Sequence, residues 1–167
     1  PADWKLSLSL RKVLVACVGV IWILLVTVSG SLSTDHLQRS SDYASMAEEI
    51  GEAVGHSPRT IILDYDMGYP LMYMGNLYGR AWPESAYMEF HRRLPQPDPA
   101  ADPEMPASER FLQFYADAGP EYFIVCRALQ ELDAQPGLRH FLFSNYPVLA
   151  RGDRYLIFDL RERTAEP

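Results

Sequence analysis

The sequence predicts an α/β protein that consists of an N-terminal transmembrane helix and a mostly parallel sheet with helices on both faces. Two observations support this fold class. Residues 13–34 form a run of 22 residues without a charged side chain. In the rest of the chain, short apolar runs typical of strands alternate with amphipathic segments typical of helices. Such alternation favours parallel strands joined by helical crossovers.

The uncharged run is long enough to cross a membrane as a helix. The hydrocarbon core of a bilayer is about 30 Å thick and requires about 20 helical residues at about 1.5 Å each. Three basic residues precede the run, and the positive-inside rule then places residues 1–12 in the cytoplasm as a flank. Residues 13–33 are the predicted transmembrane helix, and residues 34–167 form a domain outside the cytoplasm. We therefore expect a cell-membrane protein that has the lipid bilayer as a partner.

Two other interpretations of the uncharged run stay open. In the first, residues 13–28 are the hydrophobic part of a cleaved signal peptide, and the small residues Ser29, Gly30 and Ser31 form its cleavage site. In the second, the run is a buried helix of a soluble core, although no face of it is polar. The length of the run favours the transmembrane helix.

The chain begins at Pro1 rather than Met, and we expect a segment of a longer protein, although removal of an initiator Met leaves the same start.

Composition and charge disfavour several function classes. Residues 34–167 carry 12 basic and 21 acidic residues, a net charge of −9, which disfavours nucleic acid as a partner. Cys17 lies in the uncharged run and Cys126 in an apolar strand-like run, so we expect no disulfide between them. The spacing around the histidines does not indicate a zinc site; they are His36, His56, His91 and His140. We predict no metal and no cofactor.

Helices and strands alternate along the predicted domain, and glycine and proline separate them. The expected elements of the first half are a helix with Tyr43, Ala47, Ile50 and Val54 on one face and its end at Gly55, strands at 59–64 and 77–82, a short helix at 72–74 and a helix at 83–93. Residues 94–105 contain four prolines and read as a solvated connector. The expected elements of the second half are a helix from Pro106, a buried strand at 122–126, helices at 128–134 and 138–144, and a final hairpin of strands at 147–150 and 155–160. This last pair predicts one antiparallel edge on the sheet.

The candidate site lies in the loop after the first strand. Open α/β sheets bind ligands outside the carboxyl ends of their strands, which is where Asp64, Asp66, Tyr69 and Tyr73 fall. Carboxylates among tyrosines can hydrogen-bond and stack a sugar. The alternative is that the two aspartates cap the next helix while the tyrosines pack on a surface. The sequence contains no nucleophile motif, phosphate-binding loop or metal-binding motif.

Two motifs in this region carry a resemblance to a known family. Residues 62–73 read Ile-Leu-Asp-Tyr-Asp-x-Gly-Tyr-Pro-Leu-x-Tyr, and residues 79–83 read Gly-Arg-Ala-Trp-Pro. With the preceding apolar helix, they resemble the C-terminal end of bacterial multi-spanning glycosyltransferases of the protein mannosyltransferase and aminoarabinose transferase group. Residues 120–125, 146–148 and 158–160 resemble the small Rossmann-like outer domain of that group.

The resemblance implies the C-terminal domain of a membrane glycosyltransferase that takes sugar from a polyprenyl phosphate. In that group of enzymes the acidic catalytic residue lies in an early outer loop. This segment lacks that loop, so the resemblance implies no catalytic residue in this sequence. The domain would then have a lid or acceptor-side role, with Asp64, Asp66, Tyr69 and Tyr73 as candidate ligand contacts. Implied partners are upstream membrane helices of the same protein and a lipid-linked sugar or glycan acceptor. The alternative function is a single-pass, membrane-anchored extracytoplasmic interaction or ligand-binding domain, or a secreted one if the apolar run is cleaved.

Overall fold

The computed structural model describes residues 17–22 and 41–164. The chain divides into two compact units, Pro1–Tyr43 and Ala44–Pro167. In the first unit the described residues are helical, both at 17–22 and at the start of helix α1, which covers residues 41–53. The second unit contains the remainder of α1 and the sheet with its other helices.

The predicted transmembrane helix is contradicted. Among the residues that the structure describes, no helix is both long enough and apolar enough to cross a membrane. Of the predicted span 13–33, only residues 17–22 are described, and they are helical and exposed. The rest of that span, the flank at 1–12 and the cleavage site of the alternative lie outside the described residues.

The sheet is mixed rather than mostly parallel. Its five strands lie in the order β2-β1-β3-β5-β4. They are β1 (Thr60–Leu63), β2 (Gly79–Ala81), β3 (Tyr122–Cys126), β4 (Val148–Arg151) and β5 (Tyr155–Asp159). β1 pairs in parallel with β2 and β3, whereas β5 pairs antiparallel with both β3 and β4.

β5 lies next to the edge strand β4, so the final hairpin forms an antiparallel edge, as the sequence predicts. Every residue of β5 is buried, whereas β4 exposes Val148 and Leu149. A strand that is apolar on both faces is stable only where both faces are covered, so β5 lies beside β3 and β4 takes the edge. The prediction of a buried strand at 122–126 is confirmed, and both this strand and the first strand lie in the interior of the sheet.

Helices cover both faces of the sheet. They are α1, α2 (Tyr69–Met74), α3 (Ser85–His91), α4 (Ala107–Phe114), α5 (Glu131–Ala134) and α6 (Leu138–Asn145). Ile61, Phe123 and Phe158 are paired across three strands and share one apolar core with α4, α5 and α6. Alternate residues point to the opposite face, where the hydroxyl of Tyr155 donates to Glu49 Oε1 of α1 at 2.6 Å.

A buried polar network links the proline-rich segment to the helices. Gln135 Oε1 accepts from Trp82 Nε1 at 2.8 Å and from Arg110 Nη1 at 3.2 Å. Gln135 Nε2 donates to the Pro83 carbonyl at 3.0 Å and to Glu131 Oε2 at 2.9 Å. Arg110 is fully buried, and its Nη2 donates to the Asp102 carbonyl at 2.5 Å. The network therefore fixes the segment around residue 102 against α4 and α5.

Candidate functional site

The candidate site lies where the three parallel strands end. β1 lies between β2 and β3. The chain therefore passes from β1 to β2 on one side of it and later forms β3 on its other side. The border between β1 and β3 is thus a topological switch point, the place where open α/β sheets bind ligands. Loops after the three strands supply its side chains.

Asp64 and Arg127 join the ends of β1 and β3. Asp64 is 0% exposed, and its Oδ1 and Oδ2 accept from Arg127 Nε at 2.8 Å and Nη2 at 3.0 Å. Asp64 Oδ1 also accepts from the backbone N–H of Tyr65 at 2.9 Å. The capping alternative therefore describes Asp64 correctly. Its carboxylate holds the two loops together and is not exposed to a ligand.

Left-handed backbone follows Asp64. Asp66, Met67 and Gly68 have φ of 54°, 56° and 72°, a conformation that is uncommon for residues with a Cβ and is typical of functional loops. Gly68 is required here, since a Cβ would lie 2.5 Å from Ile62 Cγ2. This reversal leads directly into α2 and leaves Asp66 exposed.

Three tyrosines, the tyrosine row, extend from this loop along α2. They are Tyr65, Tyr69 and Tyr73. Tyr69 and Tyr73 are four residues apart and so share one helix face, with 69% and 86% of each residue exposed. Tyr65 is held in place, because Gln130 Nε2 donates to its hydroxyl at 2.6 Å and the Arg127 guanidinium lies 5.5 Å from its ring centre. Tyr69 and Tyr73 are thus open to solvent, whereas Tyr65 is held in place.

The segment after β2 contains two side chains, Glu84 and Tyr87, whose pKa values are raised. Glu84 is half-buried. Burial raises the pKa of Glu84, and the neighbouring carboxylates of Glu131, Asp66 and Asp64 raise it further. Burial likewise raises the pKa of Tyr87, with smaller contributions from Asp98 and Tyr69. The charges of Asp66 and Asp64 therefore act on Glu84, and Tyr69 acts on Tyr87.

Of the four sequence-predicted residues, the structure exposes three and buries the fourth. Asp66, Tyr69 and Tyr73 are exposed, whereas Asp64 is enclosed. Sequence reasoning missed Arg127 and Glu84, although each follows the carboxyl end of a strand, and that position is the signal that identifies them. Within residues 17–22 and 41–164, no group of His, Cys, Asp and Glu is arranged to hold a metal ion. The surface offers aromatic faces and hydrogen-bond acceptors, which suit binding of a polar ring compound.

Comparisons with other proteins leave the family open. The resemblance to glycosyltransferases stays a prediction that depends on the quoted motifs alone. No protein family, curated protein or solved structure matches this chain.

Proposed function

We propose that this chain is a glycan-binding domain without a catalytic residue of its own, which provides acceptor-side contacts for a glycosyltransferase that uses a polyprenyl-phosphate sugar donor. The observation that carries the proposal is the pair of exposed side chains Tyr69 and Tyr73 beside Asp66. The enzyme class is supported only by the motif resemblance at residues 62–73 and 79–83.

A sugar fits this surface chemically. Tyrosine presents an apolar ring with a polar tip, and a pyranose presents an apolar C–H face with hydroxyls around its rim. Asp66 and the partly exposed Glu84 provide acceptors for those hydroxyls. Large exposed aromatic side chains in a group favour a binding role over a purely structural one.

Charge supports a neutral ligand. The chain has a net charge of −7, and the exposed Asp66 lies three residues before Tyr69, so an anionic ligand is repelled from this surface. A neutral glycan avoids that repulsion and uses the carboxylates as acceptors.

Three expectations stay predictions: the extracytoplasmic location, and the bilayer and the upstream membrane helices as partners.

The charged groups around this surface already form ion pairs and hydrogen bonds within the protein, which argues against catalysis there. Sugar transfer from a lipid phosphate needs a positioned base and a group that neutralises the leaving phosphate. Arg127 is engaged by Asp64, and Glu131 Oε2 accepts from Ser85 N at 2.8 Å and Ser85 Oγ at 2.6 Å. These residues hold the loops in place, which leaves binding as the role of the surface.

An NMR titration of the full chain with soluble neutral oligosaccharides tests the proposal. Panels built from mannose, glucose and N-acetylhexosamines cover the common glycan types. We expect the amide resonances of Asp66, Tyr69 and Tyr73 to shift with at least one panel member, without cleavage or transfer. No shift at any of these residues with millimolar sugar would contradict glycan binding and favour the alternative, an interaction domain. Turnover by the chain would contradict the non-catalytic role.

A further inference from the structure

A separate cavity lies at the opposite end of the strands, where β1 and β2 begin. Its volume is about 230 Å³. The residues that determine its chemistry are Arg59, Arg80, Tyr115 and Pro120. The tyrosine row and Asp66 follow the carboxyl end of β1, so this cavity is distinct from the site of the proposed function.

Strand register places two arginines on the same side of the sheet. Arg80 of β2 pairs with Ile61 of β1, and Arg59 precedes Ile61 by two residues. Because side chains alternate along a strand and agree between paired positions, Arg59 and Arg80 point to the face that carries Ile61. That face packs against α4, so both guanidinium groups border the same cavity.

The cavity combines an apolar wall with a fixed cation. The Tyr115 ring is held by a hydrogen bond from its hydroxyl to the Ala81 carbonyl at 2.8 Å and packs against Trp82 with ring centres 4.9 Å apart. Arg80 Nη1 donates to the Phe114 carbonyl at 2.6 Å. This bond orients the guanidinium, which leaves its other N–H groups available for an anion.

The acidic partners of the two arginines differ in how firmly they are held. Asp117 lies 3.2 Å from Arg80, and its side chain is 76% exposed, so this contact is worth little and is easily displaced. Glu121 pairs with Arg59 and also accepts from Ser57 Oγ at 2.6 Å. Hydrogen bonds from Ser57 and then Arg59 lower the pKa of Glu121. An incoming anion therefore competes mainly with Asp117 at Arg80.

We propose that this cavity binds a small organic anion, with a carboxylate or phosphate head group on Arg80 near Arg59 and an apolar body against Tyr115 and Pro120. A guanidinium fork matches the geometry of both head groups. The apolar wall selects against a bare inorganic ion, and the arginines select against a neutral molecule. The volume limits the body to about the size of a single ring, since drug-sized ligands occupy about 300–1,000 Å³.

Titration of the full chain with four probes tests this inference by NMR. Benzoate and phenyl phosphate carry the two head groups on a single ring, benzyl alcohol is the neutral analogue, and inorganic phosphate lacks the ring. We expect benzoate or phenyl phosphate to shift the resonances of Gly79, Arg80 and Tyr115, and the stronger of the two identifies the head group. Equal binding of benzyl alcohol, equal binding of inorganic phosphate or no binding of either aromatic anion overturns the proposal.

Three variants sharpen the test. Arg80→Gln removes the fixed cation and should weaken binding about tenfold. Asp117→Asn removes the competitor and should tighten binding about threefold. Arg93→Gln is the control, because Arg93 is exposed on another segment and pairs with Glu89. If Arg80→Gln binds as well as Arg93→Gln does, or if Asp117→Asn weakens binding, the anion does not lie on Arg80 and the proposal is wrong.

Discussion

Asp64 at the end of β1 and Arg127 directly after β3 form a two-pronged ion pair across the border between two parallel strands. The two N···O distances are 2.8 and 3.0 Å, the aspartate is fully enclosed, and the arginine side chain is 26% exposed. Arg127 adopts a left-handed backbone with φ of 56°, and its N–H donates to the Arg154 carbonyl at 2.7 Å. The pair therefore fixes the loop that presents Asp66 and the tyrosine row.

Asp64→Asn should destabilise the fold by about 3 kcal/mol, because removing one charge of a buried pair leaves the other poorly compensated. Asp133→Asn is the matched control, since Asp133 pairs with Arg139 on the surface, where the expected loss is under about 1 kcal/mol. Urea unfolding of the two variants measures the difference. Equal losses would contradict the structural role given to Asp64.

Apolar runs located most of the strands correctly, because a buried strand is a local sequence feature. The order of the strands is harder to predict from the sequence, since it depends on which strand of the final hairpin is covered on both faces. The contrast between Tyr-Leu-Ile-Phe in β5 and Val-Leu-Ala-Arg in β4 contains that information. The transmembrane helix that the uncharged run predicts at 13–33 is contradicted, since no described helix is long and apolar enough to cross a membrane.

The candidate site was partly predictable for the same reason. Asp66, Tyr69 and Tyr73 lie close together in the chain, so the position of one loop places all three. Arg127 is 63 residues from Asp64, and their contact follows only from the pairing of Leu63 with Val125. Glu84 reaches the same surface only because β2 is the neighbour of β1.

Glu84 should make stability depend on pH. Burial, followed by Glu131, Asp66 and Asp64, raises its pKa above 4.5 in the folded state. Its contribution to stability is therefore fully present below the unfolded value and is lost as pH rises through the folded pKa. Glu84→Gln stays neutral, so its stability relative to the native chain should increase from pH 4 to pH 7. Unfolding free energies at several pH values measure this trend, with the exposed Glu52→Gln on α1 as control. A difference that does not change with pH would exclude this role of Glu84.

Gln135 should be among the least replaceable polar side chains of the domain. Its amide satisfies Trp82, Arg110, Pro83 and Glu131 at once, and each buried polar group left without a partner costs about 1–3 kcal/mol. Gln135→Leu should therefore destabilise the fold by more than about 3 kcal/mol. Gln113→Leu on the exposed face of α4 should change stability by less than about 0.5 kcal/mol. Thermal and urea unfolding compare the stabilities of these two variants. Similar stabilities would show that Gln135 does not hold the buried polar network together.

The glycan affinity of one triple variant is the most direct test of binding by the tyrosine row. Asp66→Asn, Tyr69→Ala and Tyr73→Ala together remove the exposed part of the candidate site and leave Asp64, Arg127 and the core intact. Calorimetric titration uses the oligosaccharide that shifts the loop resonances most, and Leu112→Ala on the exposed face of α4 is the control. We expect the triple variant to bind at least about tenfold more weakly than the control, since each aromatic contact is worth about 0.5–1.5 kcal/mol. Equal affinities of the triple variant and the control would contradict glycan binding by the tyrosine row.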